Sequence, residues 1–191
     1  MDDLIPTPSQ TVGPYFRIGL TWKHPSPVVA GPQAKGEHVR LKCRVTDGDG
    51  APINDAMLEI WQADADGKYN HLDDPQQKAV DPECRGFGRM GTDEDGRCEF
   101  QTVKPGRVPG PNGTQQAPHL NLGVYARGML KQLFTRIYFA GDPANAEDSV
   151  LALVPAERRD TLMAKPDPAE PGTWRFDVRL QGEQETVFFD I

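Results

Sequence analysis

The sequence predicts an all-β fold: a β-sandwich with long Pro- and Gly-rich loops, an extended N-terminal arm and one short helix. Three observations lead there. Short segments alternate apolar and polar residues with the period of a half-buried strand, as Val39, Leu41, Cys43 and Val45 do. Between such segments stand tight-turn tetrads at 47–50 (DGDG), 64–67 (DADG) and 93–96 (DEDG), built from residues that tolerate positive φ. Glycine (19) and proline (18) are scattered through the 191 residues without a period of three. That spacing interrupts any long helix or coiled coil and excludes collagen. The length suits one domain, residues 1–191, large enough to bury a core without staples.

Taken in chain order, residues 1–36 carry repeated X-Pro steps and no sustained periodicity, so they read as an extended arm lying over something else. His38–Thr46 is the first strand. Met57, Glu59 and Trp61 alternate with Leu58, Ile60 and Gln62 in a second. Arg97–Val103 follows the 93–96 turn, and 120–125 and 134–139 form two more strands around Arg127-Gly128. The helix candidate is 155–165, with Pro155 suited to a first turn and Leu162 and Met163 facing inward. Trp174, Phe176, Val178 and Leu180 line one face of a strand over 173–180, and 185–191 (ETVFFDI) closes the chain.

Composition removes several classes of function. Lys plus Arg number 21 against 28 Asp plus Glu, a formal charge of −7. No basic run is present, so nucleic acid is a poor partner, phosphate neutralisation being what holds such ligands. Apolar runs such as 150–154 are far too short to span a bilayer, and the N-terminus has no apolar signal-peptide core. Cys43, Cys84 and Cys98 are odd in number and lack C-x-x-C spacing, the usage of reduced thiols in a cytoplasmic protein.

Common catalytic signatures are also missing. There is no G-x-S-x-G and no phosphate-cradling GxxxxGK[ST]. None of the Asp-rich tetrads continues to the spacing of a calcium loop, so each reads as a turn. The four histidines, His24, His38, His71 and His119, stand far apart, unlike a zinc cluster. The nearest approach to a non-haem iron motif is His119-Leu120-Asn121, where alternation puts His119 and Asn121 on one strand face. A neutral amide is a weak iron ligand, which favours reading His119 as a hydrogen-bonded wall residue.

Collinear segments then carry a resemblance: TPSQTVGPYF (7–16), LEIWQADADGKY (58–69), FQTVKPG (100–106), APHLNLGVYARG (117–128), TRIYFAGDP (135–143) and RLQGEQETVFFDI (179–191). Together they resemble the intradiol ring-cleavage dioxygenases over essentially the whole chain. Their order and the C-terminal QGEQETVFFD resemble in particular the α chains of members that open 3,4-dihydroxybenzoate with O2. The resemblance implies a β-sandwich, non-haem Fe(III) and a β chain of similar fold as partner. In iron-bearing chains of the family the metal takes two tyrosinates and two histidines. Tyr69 matches the first tyrosine and His119 the first histidine of a His-x-His pair. Val108 stands in place of the second tyrosine and Asn121 in place of the second histidine. The resemblance therefore implies no iron on this chain, the metal being bound by the partner β chain. Tyr69 and His119 are then kept for packing or hydrogen bonding.

The resemblance also puts each active site at the α–β interface, with the arm packing on the partner and α residues forming part of the pocket wall. Matching positions are Thr11, Gly13 and Pro14 in the arm, and Arg127 after the 120–125 strand. Gly13 admits close approach and Pro14 stiffens the loop. A cation at Arg127 suits a substrate that carries a carboxylate and gathers further negative charge as its hydroxyls deprotonate. The plainer role for Arg127 is an inter-subunit salt bridge. Two other functions stay open on the sequence: a self-sufficient homo-oligomeric dioxygenase with an altered site, and a non-catalytic β-sandwich scaffold. Val108 and Asn121 weigh against the first, and the retained TVGP and ARG stretches against the second.

Overall fold

A computed structural model of the chain describes residues 13–22 and 25–190. In chain order they form a helix, α1 (Gly13–Thr21), and ten strands: β1 (His38–Thr46), β2 (Met57–Trp61), β3 (Phe87–Gly91), β4 (Arg97–Val103), β5 (Val108–Pro109), β6 (Gln115–Gln116), β7 (His119–Tyr125), β8 (Leu133–Phe139), β9 (Met163–Pro166) and β10 (Thr173–Arg179). Eight strands make one sheet in the order β3-β2-β7-β8-β9-β10-β1-β4, while β5 and β6 pair separately. Pairing is antiparallel except for β8–β9 and β1–β10. The short strand β9 is the hinge of the sheet: Met163 and Ala164 pair with Tyr138 and Phe139, then Lys165 and Pro166 with Arg175 and Trp174. The two halves fold face to face over a shared core. Leu41, Cys43, Val45, Phe100, Phe176 and Val178 come from one side, and Leu58, Ile60, Leu120, Leu122, Val124 and Ile137 from the other. The expected all-β sandwich is the observed architecture.

Strict alternation places these side chains. In β1 every second residue from Val39 to Val45 is buried while His38 and Arg40 face water. The three Asp tetrads fold alike. Asp47, Asp64 and Asp93 each turn a carboxylate back onto two backbone amides, and Gly50, Gly67 and Gly96 take positive φ. Those carboxylates are engaged in shaping turns.

Three sequence expectations need correction. The arm is not extended throughout: residues 13–21 wind into α1, because no proline interrupts the stretch between Pro14, in the first turn, and Pro25. From Ser26 to Ala30 the arm is extended as expected, but it lies on its own chain, bridging Arg89 of β3, Gln101 of β4 and Cys84. It thus seals the seam where the two edge strands meet, which would otherwise offer unpaired backbone. Residues 155–165 are not an α-helix. Ala156–Leu162 forms 3-10 turns without a side-chain cap, and Met163 leaves them to pair with Tyr138. Finally, of the expected closing strand over 185–191, the described residues 185–190 contribute one bridge, Phe189 to Phe134, rather than a strand. Among the described residues no helix is long and apolar enough to cross a membrane.

Candidate functional site

The outward face of the β3-β2-β7-β8 half carries two polar clusters, at opposite ends of β7. At the start of β7, alternation sends His119, Asn121 and later Tyr125 outward while Leu120, Leu122 and Val124 enter the core. Asp148, itself buried, fixes the approach to this strand by accepting from the Ala117 amide at 2.7 Å and from the Tyr138 hydroxyl at 3.1 Å. His119 Nδ1 lies 2.8 Å from the Ala117 carbonyl. A carbonyl only accepts, so Nδ1 carries the proton and Nε2 the lone pair. Burial, and secondarily the Arg136 charge, lowers the His119 pKa to about 4, so the ring is neutral near neutral pH.

Tyr69 reaches the same place from the loop after the 64–67 turn. Its ring stacks on Trp61 with centroids 6.0 Å apart, and its amide donates to Asp74 Oδ2 at 2.8 Å. Burial raises Asp74, but the amides of Gln76 and Tyr69 and the Lys68 ammonium outweigh that and hold its pKa at about 2. Lys68 Nζ, 3.1 Å from that carboxylate, also donates to the Asp74 and Gln76 carbonyls, so a buried cation and anion are both satisfied. The loop then abuts the 106–108 segment: Gly67 has φ +76°, and a Cβ there would collide with the Arg107 carbonyl. Asn121 Nδ2 donates to the Tyr69 hydroxyl oxygen and to the Trp61 carbonyl, each at 3.3 Å. Burial raises the Tyr69 pKa and keeps the phenol protonated. Val108 is buried in β5, paired with Gln116. A hollow of about 350 Å³ opens here, lined by Trp61, Tyr69, His71, Asp74 and Pro109 among others.

This donor set does not fit a ferric ion. It holds a neutral phenol already accepting a hydrogen bond, one neutral imidazole, an amide that presents its N–H side and an aliphatic side chain. Fe(III) favours anionic oxygen with imidazole nitrogen, and valine offers no lone pair. Among the described residues no group of three or more His, Cys, Asp or Glu is placed to hold a metal.

The second cluster lies beyond the far end of β7. Arg127 is six residues past Asn121, about 20 Å away at ~3.3 Å per residue. Its Nε pairs with Asp55 Oδ2, within the chain, and its side chain stays 65% exposed. Gly128, at φ +80°, lets the chain turn away directly afterwards. Tyr125, two residues earlier, sends its hydroxyl to Glu59 at 3.3 Å, and its ring meets Phe16 of α1 at 5.6 Å. Arg17 Nη2 donates to the Thr92 carbonyl at 2.6 Å and anchors the helix. Gly13 and Pro14 begin this helix, so its first turn and Arg127 belong to one end of the sheet. Thr11 lies outside the described residues. Asp55 could not be read from the sequence as the partner of Arg127, because the ion pair joins distant segments. Phe16 stacking on Tyr125 was equally hidden.

Known proteins resemble the chain in both sequence and fold. A dioxygenase family profile matches residues 12–182. The chain is 48% identical to a protocatechuate 3,4-dioxygenase alpha chain of Burkholderia cepacia, across 100% of both chains. It is 34% identical to a protocatechuate 3,4-dioxygenase beta chain of the same organism, covering 79% of this chain and 67% of that one. Among solved structures, the dioxygenase domain of a dioxygenase–carbohydrate-binding fusion from Streptomyces sp. SirexAA-E superposes with a TM-score of 0.63 at 26% identity, over 93% of this chain and 99% of the other. The chain belongs to the intradiol ring-cleavage dioxygenases, a family of non-haem iron enzymes.

Proposed function

We propose that this chain is the alpha subunit of a protocatechuate 3,4-dioxygenase, that the Fe(III) resides in its beta chain, and that the alpha chain supplies part of the substrate pocket. The enzyme opens 3,4-dihydroxybenzoate with O2 between the hydroxyl-bearing carbons, giving 3-carboxy-cis,cis-muconate. The observation that carries this reading is the division of the outer face. The end with Tyr69, Val108, His119 and Asn121 is closed by an amide bridge. The other end keeps an exposed cation, Arg127, two residues past Tyr125, whose ring meets Phe16 of α1. Thr11, Gly13 and Pro14 provide backbone to the pocket, and Arg127 provides positive charge for the substrate carboxylate. Asp55 cancels part of that charge but fixes the guanidinium in place, which lowers the entropy lost when an anion arrives. Cys43 and Cys98 sit opposite each other on β1 and β4 as free thiols, in keeping with a cytoplasmic enzyme.

Steady-state kinetics of the assembled enzyme carrying Arg127→Ala tests the reading. A charged hydrogen bond contributes about 1.5–3 kcal/mol, so KM for 3,4-dihydroxybenzoate should rise roughly 10- to 100-fold. Catechol, which has no carboxylate, should show a much smaller change, Arg127→Lys should recover part of the loss, and the subunits should still co-elute. An unchanged KM for 3,4-dihydroxybenzoate refutes the assignment.

A further inference from the structure

Unsuited to a metal, the Tyr69 end still holds a hollow and a cation without an acid. Arg136 is half-buried on β8 and stands directly opposite Asn121 in the strand register, so both side chains share the outer face. Its Nη1 donates to Gln116 Oε1 at 2.6 Å and to the Tyr138 hydroxyl at 3.4 Å. Among the described residues no carboxylate pairs with Arg136, and its Nε and Nη2 donate to nothing. Neither nitrogen is sealed from solvent. The neighbouring arginines of this face differ: Arg89 pairs with Glu59 and Arg127 with Asp55. Asp148, beyond the Tyr138 hydroxyl, is engaged by that hydroxyl and by the amides of Ala117, Val150 and Leu151. A half-buried guanidinium left with two open donors is completed by an anion.

The 350 Å³ hollow adjoins this guanidinium through two of its walls, Tyr69 and Pro109. The Tyr69 hydroxyl accepts from Asn121, the register partner of Arg136. The Pro109 carbonyl accepts at 3.0 Å from Gln116 Nε2, the same amide whose oxygen holds Arg136. Trp61 and Tyr69 add stacked rings, and His71 stands edge-on to Trp61 with centroids 6.2 Å apart. Two acids also border the hollow. Asp74 is neutralised by Lys68, and Asp73 is 93% exposed beside His71, where water screens it. The volume is at the small end of the ~300–1,000 Å³ of ligand sites.

We propose that this hollow binds a small aromatic carboxylate, its ring against Trp61 and Tyr69 and its carboxylate on Nε and Nη2 of Arg136. Two open donors on one planar guanidinium match the two oxygens of one carboxylate. Flat aromatic walls match a flat ring, and an aliphatic anion would leave them wet. The site is built from this chain's own residues and does not depend on the alpha-subunit reading.

Calorimetric titration of the full chain with benzoate tests it. One saturable site per chain is expected. Arg136→Gln, which keeps the hydrogen-bonding end but not the charge, should weaken binding roughly 10- to 100-fold, the loss that follows removal of a charged hydrogen bond. Arg136→Lys keeps the charge without the fork and should fall between the two, with circular dichroism and Tm of both variants checking the fold. Phenol, which has the ring alone, and acetate, which has the carboxylate alone, should each bind about tenfold or more weakly than benzoate. Absence of saturable benzoate binding overturns the proposal, as does an unchanged dissociation constant in Arg136→Gln or equal binding of phenol and benzoate. Loss of binding in Arg127→Ala but not in Arg136→Gln places the anion at the other end of the face and also overturns it. The alpha-subunit reading is then still decided by the KM of Arg127→Ala in the assembled enzyme.

Discussion

Asn121 shows how one side chain can close a site. Its amide joins the Tyr69 hydroxyl to the Trp61 carbonyl, and the phenol stays protonated against the Trp61 ring. His119 beside it is buried and neutral, and this has a consequence for stability. Its pKa falls from 6.5 to about 4 on folding. The unfolded chain therefore binds the proton more tightly than the folded one. The stability this represents is complete above pH 6.5 and declines as the pH falls toward 4, by up to about 3 kcal/mol at 1.36 kcal/mol per unit. Urea unfolding at pH 7.0 and 4.5 checks it: His119→Gln should lose less stability between the two than the wild type. An equal or larger loss in the variant contradicts the assignment. The identities of Tyr69, Val108, His119 and Asn121 were legible in the sequence through family resemblance. The amide bridge between them was not, because Tyr69 sits on a loop whose path depends on Asp74 and Lys68.

Element by element, legibility followed periodicity. β1, β4 and β10 alternate cleanly and lie where the sequence placed them. β3, with the sequence FGRMG, was missed because two glycines erase the alternation. Gly88 is needed there since a Cβ would crowd Val29 and Phe100, so packing overrides strand propensity. The 155–165 segment looked helical from Pro155 and its inward Leu162, yet strand pairing with β8 claims Met163 and Ala164. The loop carrying Tyr69 depends on a contact that composition cannot reveal, that of Gly67 with the Arg107 carbonyl. Gly67→Ala should cost about 3 kcal/mol, combining positive-φ strain with the collision. Gly141→Ala has similar φ, +80°, and open space around it, so it should cost only about 1 kcal/mol. Thermal unfolding of the pair measures the difference. Equal Tm losses would mean that the loop yields and the contact is unimportant.

At the scale of the whole molecule the chain is asymmetric in use. The β-sandwich presents one outer face with two ends, one closed around Tyr69 and one open around Arg127 and α1. The excess of glycine and proline serves this shape, in the Asp-Gly turns and in the arm that seals the β3–β4 seam before the sheet begins. The net charge of −7 weighs against a polyanionic partner and does not point to which protein the chain pairs with. Assembly was visible in the sequence only through resemblance. Helix α1 could not be read there, because the arm's prolines suggested extended chain. On the proposed reading, turnover belongs to the alpha–beta pair and the iron to its beta chain. Iron quantification and ring-cleavage activity, on this chain alone and then with its beta chain, test it most directly. The chain alone should be iron-free and inactive, and assembly should give one iron per alpha–beta pair with full activity. Stoichiometric iron with turnover of 3,4-dihydroxybenzoate in the isolated chain would contradict it.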